Sequence, residues 1–232
     1  MRLFRSIPFS LILLAFCNSP KALADEGSSP ATFSFQYSGL KWSASTNKTS
    51  PANGAAESER KISSLLTSDL ADSMVFATID KFNIYFYPFL DGNALASISY
   101  MVRPDLELGI DIGLNATKVD SPKFNRNDSI YGAFATWSVP VDTMHLENML
   151  IVDRSSRKIT DLNPSTNIES TEESSSLFIK GSTLLVVPLA KNASYLGGVW
   201  IASSSATDKT NDIKSTSHQY GLVLAGFRIT LE

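Results

Sequence analysis

The most regular feature of the chain is a strict alternation of apolar and polar positions from Leu106 to Asn115. Every even position in this stretch is a large aliphatic residue, and every odd position is charged, an amide or glycine. A period of two puts all the aliphatic side chains on one face of a strand, whereas no helix could present them together. The pattern therefore predicts a β-strand with one apolar and one polar face.

Seven further segments alternate in the same way, although less strictly. They are residues 32–42, 94–102, 129–139, 144–153, 176–189, 195–204 and 218–231. In the last of them, Val223, Ala225, Phe227, Ile229 and Leu231 share the predicted apolar face. The chain is also rich in Ser, Thr and Asn, which suit strands and turns better than helices. An all-β fold follows from these observations.

The connections between these segments alternate in length. Three are short turns, near Arg103-Pro104-Asp105, between Pro140 and Thr143, and at Lys191-Asn192-Ala193. Four are long and polar, at about 43–73, 118–128, 154–175 and 205–217. An up-and-down barrel that crosses a membrane has short turns on one rim, longer loops on the other, and strands of about 9–11 residues. The sequence therefore predicts an antiparallel up-and-down transmembrane β-barrel.

The number of strands depends on residues 74–102, which are too many for one strand. Asp91-Gly92-Asn93 is typical of a hairpin turn. Either 32–42 is the first strand and 74–102 holds one strand with an insertion, or 74–89 and 94–102 are separate strands and 25–73 lies partly outside the barrel. Both interpretations give about eight strands, and ten are reached if 57–66 also pairs. The helical spacing of its apolar residues favours a short helix there instead: Ile62, Leu65, Leu66 and Leu70.

The first 24 residues have the features of an export signal. Arg2 and Arg5 precede an apolar run from Ile7 to about Cys17, and an A-x-A sequence ends at Ala24. The run is too short to span a bilayer as a helix. We therefore predict a signal peptide over residues 1–24, cleavage between Ala24 and Asp25, and a barrel domain over residues 25–232.

Charge and cysteine content exclude several classes of function for residues 25–232. Three of the 20 basic residues lie in the predicted signal, so 17 basic residues face 23 acidic ones and the net charge is −6. This balance argues against a nucleic-acid-binding protein. Cys17, the single cysteine, also lies in the predicted signal. Disulfides, thiolate catalysis and cysteine metal sites are therefore not expected.

The direction of the apolar face separates a soluble barrel from a membrane barrel. A soluble barrel turns this face inward, and a membrane barrel turns it outward and fills its lumen with polar side chains. Several aromatic residues fall near predicted strand ends, where interfacial girdles lie: Trp42, Tyr131, Tyr195 and Tyr220. Glycines on the polar face, Gly109, Gly113 and Gly132, indicate a crowded lumen.

These features together resemble small Gram-negative outer-membrane β-barrels of the OmpA/OmpX type. The resemblance rests on the signal segment, the absence of cysteine after it, the Leu106–Asn115 strand following an Arg-Pro-Asp turn, and the alternating connection lengths. It covers most of residues 32–232 and is one of pattern. It implies location in the outer membrane, contact with outer-membrane lipid, and insertion by the barrel-assembly machinery. One feature departs from it, because such proteins usually end in an aromatic residue and this chain ends Thr230-Leu231-Glu232.

The candidate functional residues are charges on the predicted polar faces. They are Glu107, Asp111, Glu147, Lys180 and Arg228. A charge in a narrow lumen must be paired, and Glu107 and Arg228 both fall near the short-turn rim, so we expect them to contact each other or to share a partner.

Enzymatic chemistry is not predicted. His145 and His218 have no metal-ligand spacing, and His145 is expected to be an interior polar group. Ser217-His218, near Asp208 and Asp212, is interpreted as part of a solvated loop rather than a catalytic pair. No cofactor, metal or catalytic residue is predicted.

The predicted role is therefore structural or one of surface interaction, with a lumen filled by polar side chains and an unidentified surface ligand. A narrow solute channel and a soluble lipocalin-like binding barrel are the alternatives.

Overall fold

The computed structural model describes residues 31–51, 57–68, 73–87, 94–120, 123–163 and 168–231. These residues form eleven strands: β1 (Thr32–Ser50), β2 (Ser58–Ser68), β3 (Met74–Ile79), β4 (Phe82–Tyr87), β5 (Ala94–Arg103), β6 (Leu106–Asp120), β7 (Lys123–Val141), β8 (Met144–Asn163), β9 (Ile168–Ala190), β10 (Ala193–Asp208) and β11 (Ile213–Leu231). The described part of the chain has no helix of the length and apolarity needed to cross a bilayer. The predicted signal segment and its cleavage site lie outside the described residues.

The strands form one closed antiparallel sheet. Each of β3 to β11 pairs with its neighbour in the chain, β1 pairs with β3, and β11 pairs back with β1. These ten strands make the ring, and β2 pairs with the second half of β1 beside it. The predicted all-β, antiparallel up-and-down barrel is confirmed, and its ring has ten strands, the higher of the two expected counts.

The expected count of eight is too low because residues 74–103 contain three strands. The segment 74–89, read as one strand, folds into the β3–β4 hairpin around a turn at Asp80 and Lys81. Asp80 has a φ of 55°, a backbone conformation that aspartate tolerates in two-residue hairpins. The helix favoured over 57–66 is also wrong, because β2 pairs with β1 there. Asp91-Gly92-Asn93 lies outside the described residues.

The two rims of the barrel differ, as the connection lengths predict. The rim that we call the turn rim carries the short connections at 80–81, 104–105, 142–143 and 191–192, and also the start of β1 and the end of β11. The three short turns expected from the sequence all lie here. The opposite rim, which we call the extended rim, holds the far ends of the β6–β7, β8–β9 and β10–β11 hairpins.

The long polar segments are strands rather than the expected loops. β8 and β9 remain paired as far as Asn163 and Ile168, and β10 and β11 as far as Asp208 and Ile213. With 19 to 23 residues, strands such as β9 and β11 are roughly twice as long as a bilayer requires. The sequence signal fails because a hairpin in water needs no apolar face, so its Ser- and Thr-rich strands show no alternation.

The apolar faces point outward. Along β6, Leu108, Ile110, Ile112 and Leu114 are exposed, with Leu114 reaching 70% exposure, whereas Asp111 between them is only 3% exposed. The same arrangement recurs around the ring, at Ile98, Val139, Val152, Ile179 and Ile201. Beyond Tyr131 on β7 and Val152 on β8 the outward positions become polar. This outward belt of apolar side chains covers the half of the barrel next to the turn rim.

A β-bulge changes the faces of β11. Leu196 pairs with Gly226 and Gly198 pairs with Val223, so two residues of β11 oppose one residue of β10. Val223 is therefore buried in the lumen while Phe227 and Ile229 face outward. The prediction that Val223 shares the apolar face of Phe227 is wrong, because an extra residue in one strand reverses the alternation beyond it.

The lumen of the belt contains an apolar cluster as well as polar groups. Met74, Tyr85 and Phe134 are buried together, and Phe76, Tyr87 and Ile151 pack against them. The expectation of a lumen filled by polar side chains is therefore only partly met. Ten strands enclose more space than eight, and large apolar side chains occupy part of it.

Candidate functional site

Arg228 and Glu147 form the centre of a polar plug near the turn rim. The guanidinium donates two hydrogen bonds to the Glu147 carboxylate, from Nη1 at 2.9 Å and Nη2 at 2.8 Å. It also donates to Oε1 of Gln36, from Nε at 2.9 Å and Nη2 at 2.5 Å. The side chains of Arg228 and Glu147 are 15% and 13% exposed. A bidentate, largely desolvated pair of this kind is strong and directional.

Glu107 belongs to a neighbouring group rather than to Arg228. It accepts a hydrogen bond from the Tyr85 hydroxyl at 2.6 Å and another from Ser99. The Tyr85 ring lies 5.2 Å from that of Phe76, and the Arg228 guanidinium lies 5.6 Å from the Phe76 ring. Glu107 and Arg228 are expected to contact each other or to share a partner, and the structure links them through two residues, Tyr85 and Phe76.

Glycines in the strand walls make room for these groups. Gly109 faces the ring of Phe134, and a Cβ atom at Gly109 would lie 2.3 Å from that ring. Phe134 in turn packs edge-on against Tyr85, with 5.7 Å between ring centroids. This agrees with the crowded lumen predicted from the glycines on the polar face.

Two aspartates meet across Gly132 on three adjacent strands. Asp111 of β6 and Asp153 of β8 both pair in register with Gly132 of β7. Their side chains face each other across Gly132, which has no side chain, and a Cβ atom at Gly132 would lie 1.9 Å from Oδ1 of Asp153. Ser97 donates a hydrogen bond to Oδ1 of Asp111. Oδ2 of Asp111 and Oδ1 of Asp153 are buried and have no hydrogen-bond donor among the described residues.

A cavity of about 350 Å³ lies between the plug and the extended rim, and it is partly open. Its lining begins at Gln36 and Glu147 and reaches Ser155 and Ser176, whose hydroxyl oxygens are 2.6 Å apart. Asp111, Asp153 and Lys180 supply its other charged groups. The remaining wall is mainly apolar: Met74, Leu95, Ile130, Met149, Ile151, Phe178, Leu184, Trp200 and Val223. The cavity resembles a small-molecule site, with an apolar wall and a few convergent polar groups.

Lys180 lines the cavity on β9, the strand next to Asp153: Lys180 pairs with Ile151, and Asp153 pairs with Phe178. Its ammonium group lies 5.8 Å from the centroid of the Trp200 ring, a cation–π contact. Among the described residues, no carboxylate lies within ion-pair distance of it.

A second ionic group lies on the extended part of the barrel. Asp128 accepts hydrogen bonds from Arg126 Nε at 2.7 Å and Arg157 Nε at 3.0 Å. Burial alone would raise the pKa of Asp128, but the hydrogen bonds and charges of the two arginines outweigh it and hold that pKa below its ordinary value. This group joins β7 to β8 beyond the apolar belt.

Sequence reasoning missed several residues of the site. Asp153 and Gln36 fall on predicted polar faces and could have been found by asking which strands are neighbours. Trp200 does not belong to an interfacial aromatic girdle, because its ring lines the lumen cavity. Tyr85 lies in the β3–β4 hairpin, which the sequence pattern does not predict. Lys41 is buried on the lumen side because a register irregularity at Gly39 and Leu40 reverses the face of β1.

The histidines take no part in a metal site in the described part of the chain, where no cluster of three metal-ligating side chains occurs. Ser217 and His218 lie in β11 rather than in a loop, so neighbouring side chains point to opposite faces. His218 Nδ1 is 3.1 Å from Ser203 Oγ on β10. This pair lies on the outward surface beside the belt.

The closed ring, its outward apolar belt and its polar plug define the class of the molecule: it is a small β-barrel of the outer-membrane type. Only helices and closed barrels satisfy their backbone hydrogen bonds within lipid, and an apolar outer face with polar groups inside is the arrangement of a membrane barrel. A soluble lipocalin-like barrel would need the opposite arrangement.

Comparison with known proteins adds solved structures but no family. No family model and no curated protein matches the chain. Among solved structures it is similar to the outer-membrane protease OmpT from Escherichia coli, with 10% identity, a TM-score of 0.45, and coverage of 92% of this chain and 100% of that one. It is also similar to Neisserial surface protein A, at 15% identity and a TM-score of 0.33 over 88% and 99% of the two chains. For the outer-membrane protein OprG from Pseudomonas aeruginosa the identity is 10% and the TM-score 0.33, over 88% and 97%.

Proposed function

We propose that this protein is a non-enzymatic outer-membrane barrel that is closed to solutes and presents β-hairpins at the cell surface for a structural or interaction role. The observation that carries the proposal is the plug of Arg228, Glu147 and Gln36, which lies near one end of the lumen. At the other end the strands of the barrel extend far beyond the apolar belt.

The plug supports closure because every charged atom in it has a hydrogen-bond partner, and the ion pair connects strands that are not neighbours. The Arg228–Glu147 bonds join β11 to β8, which are not neighbouring strands, and Gln36 holds Arg228 from the adjacent strand β1. Opening a path would separate a buried ion pair, which leaves each charge desolvated and unpaired. Tyr85, Phe134 and Met74 fill the neighbouring space.

The hairpins support a surface role. Short turns face the periplasm and longer connections face outward in barrels of this class, so the extended rim is assigned to the outside. Side chains of both charges lie on the extensions and form ion pairs, including Lys158–Glu173 at 3.0 Å and Lys48–Glu59 at 3.6 Å. Such strands are suited to display rather than to lipid contact.

Conductance in planar lipid bilayers tests closure. We expect purified wild-type protein to give no stepwise current, because the plug spans the lumen. The double variant Arg228→Ala with Glu147→Ala removes the plug without leaving a lone charge, and we expect it to conduct. Stepwise current from the wild type would refute closure and favour the narrow-channel alternative.

Display is tested separately on intact cells. An epitope inserted after Asn163, at the end of β8, should bind antibody without permeabilisation. The same epitope inserted in the β7–β8 turn, between Asp142 and Thr143, should bind only after permeabilisation. The reverse pattern would contradict the assigned orientation.

A further inference from the structure

The cavity above the plug is lined by charged and apolar side chains that have no part in the proposed function. We propose that it binds a small organic monocation, an ammonium group on an apolar body, with Asp111 and Asp153 as the charge partners. This inference goes beyond the surface role, because it concerns the interior of the barrel.

The charge partners are built into the wall. Asp111 is 3% exposed, and Oδ2 of Asp111 and Oδ1 of Asp153 have no donor among the described residues. An ionised carboxylate only accepts hydrogen bonds, so the two aspartates cannot satisfy each other unless a donor lies between them. An ammonium group supplies three donors and one positive charge. Gly132 leaves the space beside Asp153 open.

The balance of charge in the lining also favours one cation. Arg228 neutralises Glu147 within the plug, at 2.8 Å. The lining then holds two carboxylates, Asp111 and Asp153, against the single ammonium group of Lys180. Two carboxyl groups that face each other across Gly132 hold either a shared proton or a cation between them, and the ammonium group of Lys180 lies over Trp200 instead. A monocation is the complement of this lining.

The apolar wall and the size of the cavity favour an organic cation over a metal ion. A volume of about 350 Å³ lies at the lower end of small-molecule sites, about 300–1,000 Å³. Ile151, Phe178 and Leu184 offer contacts to an apolar body. A hard divalent cation needs six or more oxygen ligands, and no group of three acidic or imidazole ligands occurs in the described part of the chain.

Three probes of one shape test the proposal: phenethylamine, phenylethanol and phenylacetate, which are cationic, neutral and anionic at neutral pH. Binding to the refolded full-length barrel in detergent is measured by calorimetry and by the fluorescence of Trp200 in a background with Trp42→Phe and Trp137→Phe. We expect phenethylamine to bind at least about tenfold more tightly than either analogue, because a charge-assisted hydrogen bond contributes that much.

The variants separate recognition by the aspartates from partition into detergent. Asp153→Asn should weaken phenethylamine binding about tenfold, and Lys180→Met should strengthen it severalfold by removing the competing charge. Glu107→Gln is the matched control, since this lumen carboxylate lies outside the cavity lining, and it should bind as the wild type does. Asp111→Asn serves as a second test of the pair, and a heat-dependent mobility shift confirms that each variant is folded.

Equal binding of the three probes, no binding by the folded wild type, or unchanged binding in both folded aspartate variants would overturn the proposal. Tighter binding of phenylacetate, lost in Lys180→Met, would also overturn it by assigning recognition to Lys180. Closure of the barrel is measured by conductance and stands or fails independently of these results.

Discussion

At the scale of single residues, the lumen depends on where side chains are absent as much as on where they are present. Gly109 leaves room for the Phe134 ring, and Gly132 leaves room for Asp153. Phe134 then packs against Tyr85, whose hydroxyl binds Glu107. A small residue in one strand thus fixes large groups on its neighbours.

Gly109→Ala should destabilise the folded barrel by roughly 1–3 kcal/mol, because the added methyl group overlaps the Phe134 ring. The measurement is the denaturant concentration at the midpoint of unfolding, with the folded fraction monitored by the heat-dependent mobility shift. Gly181→Ala is the matched control: its Cβ would meet only Ile201, at 3.6 Å, so it should change the midpoint little. Equal midpoints for the two variants would contradict this account of the packing.

Arg228→Ala should cost about 3–5 kcal/mol of unfolding free energy, because it leaves Glu147 buried without its cation. Replacing both partners, by Arg228→Met with Glu147→Leu, should cost less than the single change. An unchanged denaturant midpoint in Arg228→Ala would show that the pair contributes nothing to the stability of the barrel.

The residue scale is also where sequence and structure agree least. Polar faces of single strands predict Glu107, Asp111, Glu147, Lys180 and Arg228 as lumen charges; Asp111, Glu147 and Lys180 line the cavity, and Arg228 binds Glu147. Their partners depend on where each strand lies around a ring of ten, and a shared position near the turn rim does not show that Arg228 pairs with Glu147 rather than with Glu107. Buried Lys41 and Val223 follow from irregularities of register, which leave no trace in the alternation.

At the scale of elements, each long strand has two parts with different surroundings. In β8, the outward positions from Met144 to Val152 are apolar except for Asn148, which accepts a hydrogen bond from Thr183, and those from Arg154 to Thr160 are polar. The first part is predictable because lipid on one side demands alternation. The second is not, because backbone pairing alone maintains the hairpin in water.

Shortening the β8–β9 hairpin should leave the barrel folded. Deletion of residues 159–172, with Lys158 and Glu173 joined by Asn-Gly, removes paired strand only beyond the belt. We expect the variant to reach the membrane and to retain its mobility shift. Loss of the shift would show that the extension is required for the barrel to form.

The Asp128 group predicts a dependence of stability on pH. The pKa of Asp128 is lowered in the folded state, so its stabilising contribution is present above the ordinary aspartate pKa of about 3.9 and is lost as pH falls through the lowered value. Asp128→Asn should therefore lower the denaturant midpoint at pH 7 and have a smaller effect at pH 3. Asp105→Asn, which breaks an exposed ion pair with Arg103, should have little effect at either pH. An Asp128→Asn effect that is equal at both pH values would contradict the assigned role of the carboxylate.

At the scale of the whole molecule, the apolar belt determines where lipid, backbone edges and charged side chains can lie. It places lipid outside, requires a closed ring, and leaves the lumen as the only protected space for charges. The sequence predicts this level well, since the faces of β5, β6 and β7 are as the alternation indicates. The cavity was not predictable, because its volume depends on the number of strands and on how far the plug fills the ring.

The direction of the apolar face is the central claim, and native tryptophans test it directly. Trp137 faces outward in the belt, and Trp200 lines the lumen cavity. Two variants with one tryptophan each, Trp42→Phe with Trp200→Phe and Trp42→Phe with Trp137→Phe, are reconstituted into vesicles of brominated phospholipid. The bromine atoms should strongly quench the fluorescence of Trp137 and leave that of Trp200 largely unchanged. Strong quenching of Trp200 with weak quenching of Trp137 would mean that the faces are reversed and that the chain is not a membrane barrel of this kind.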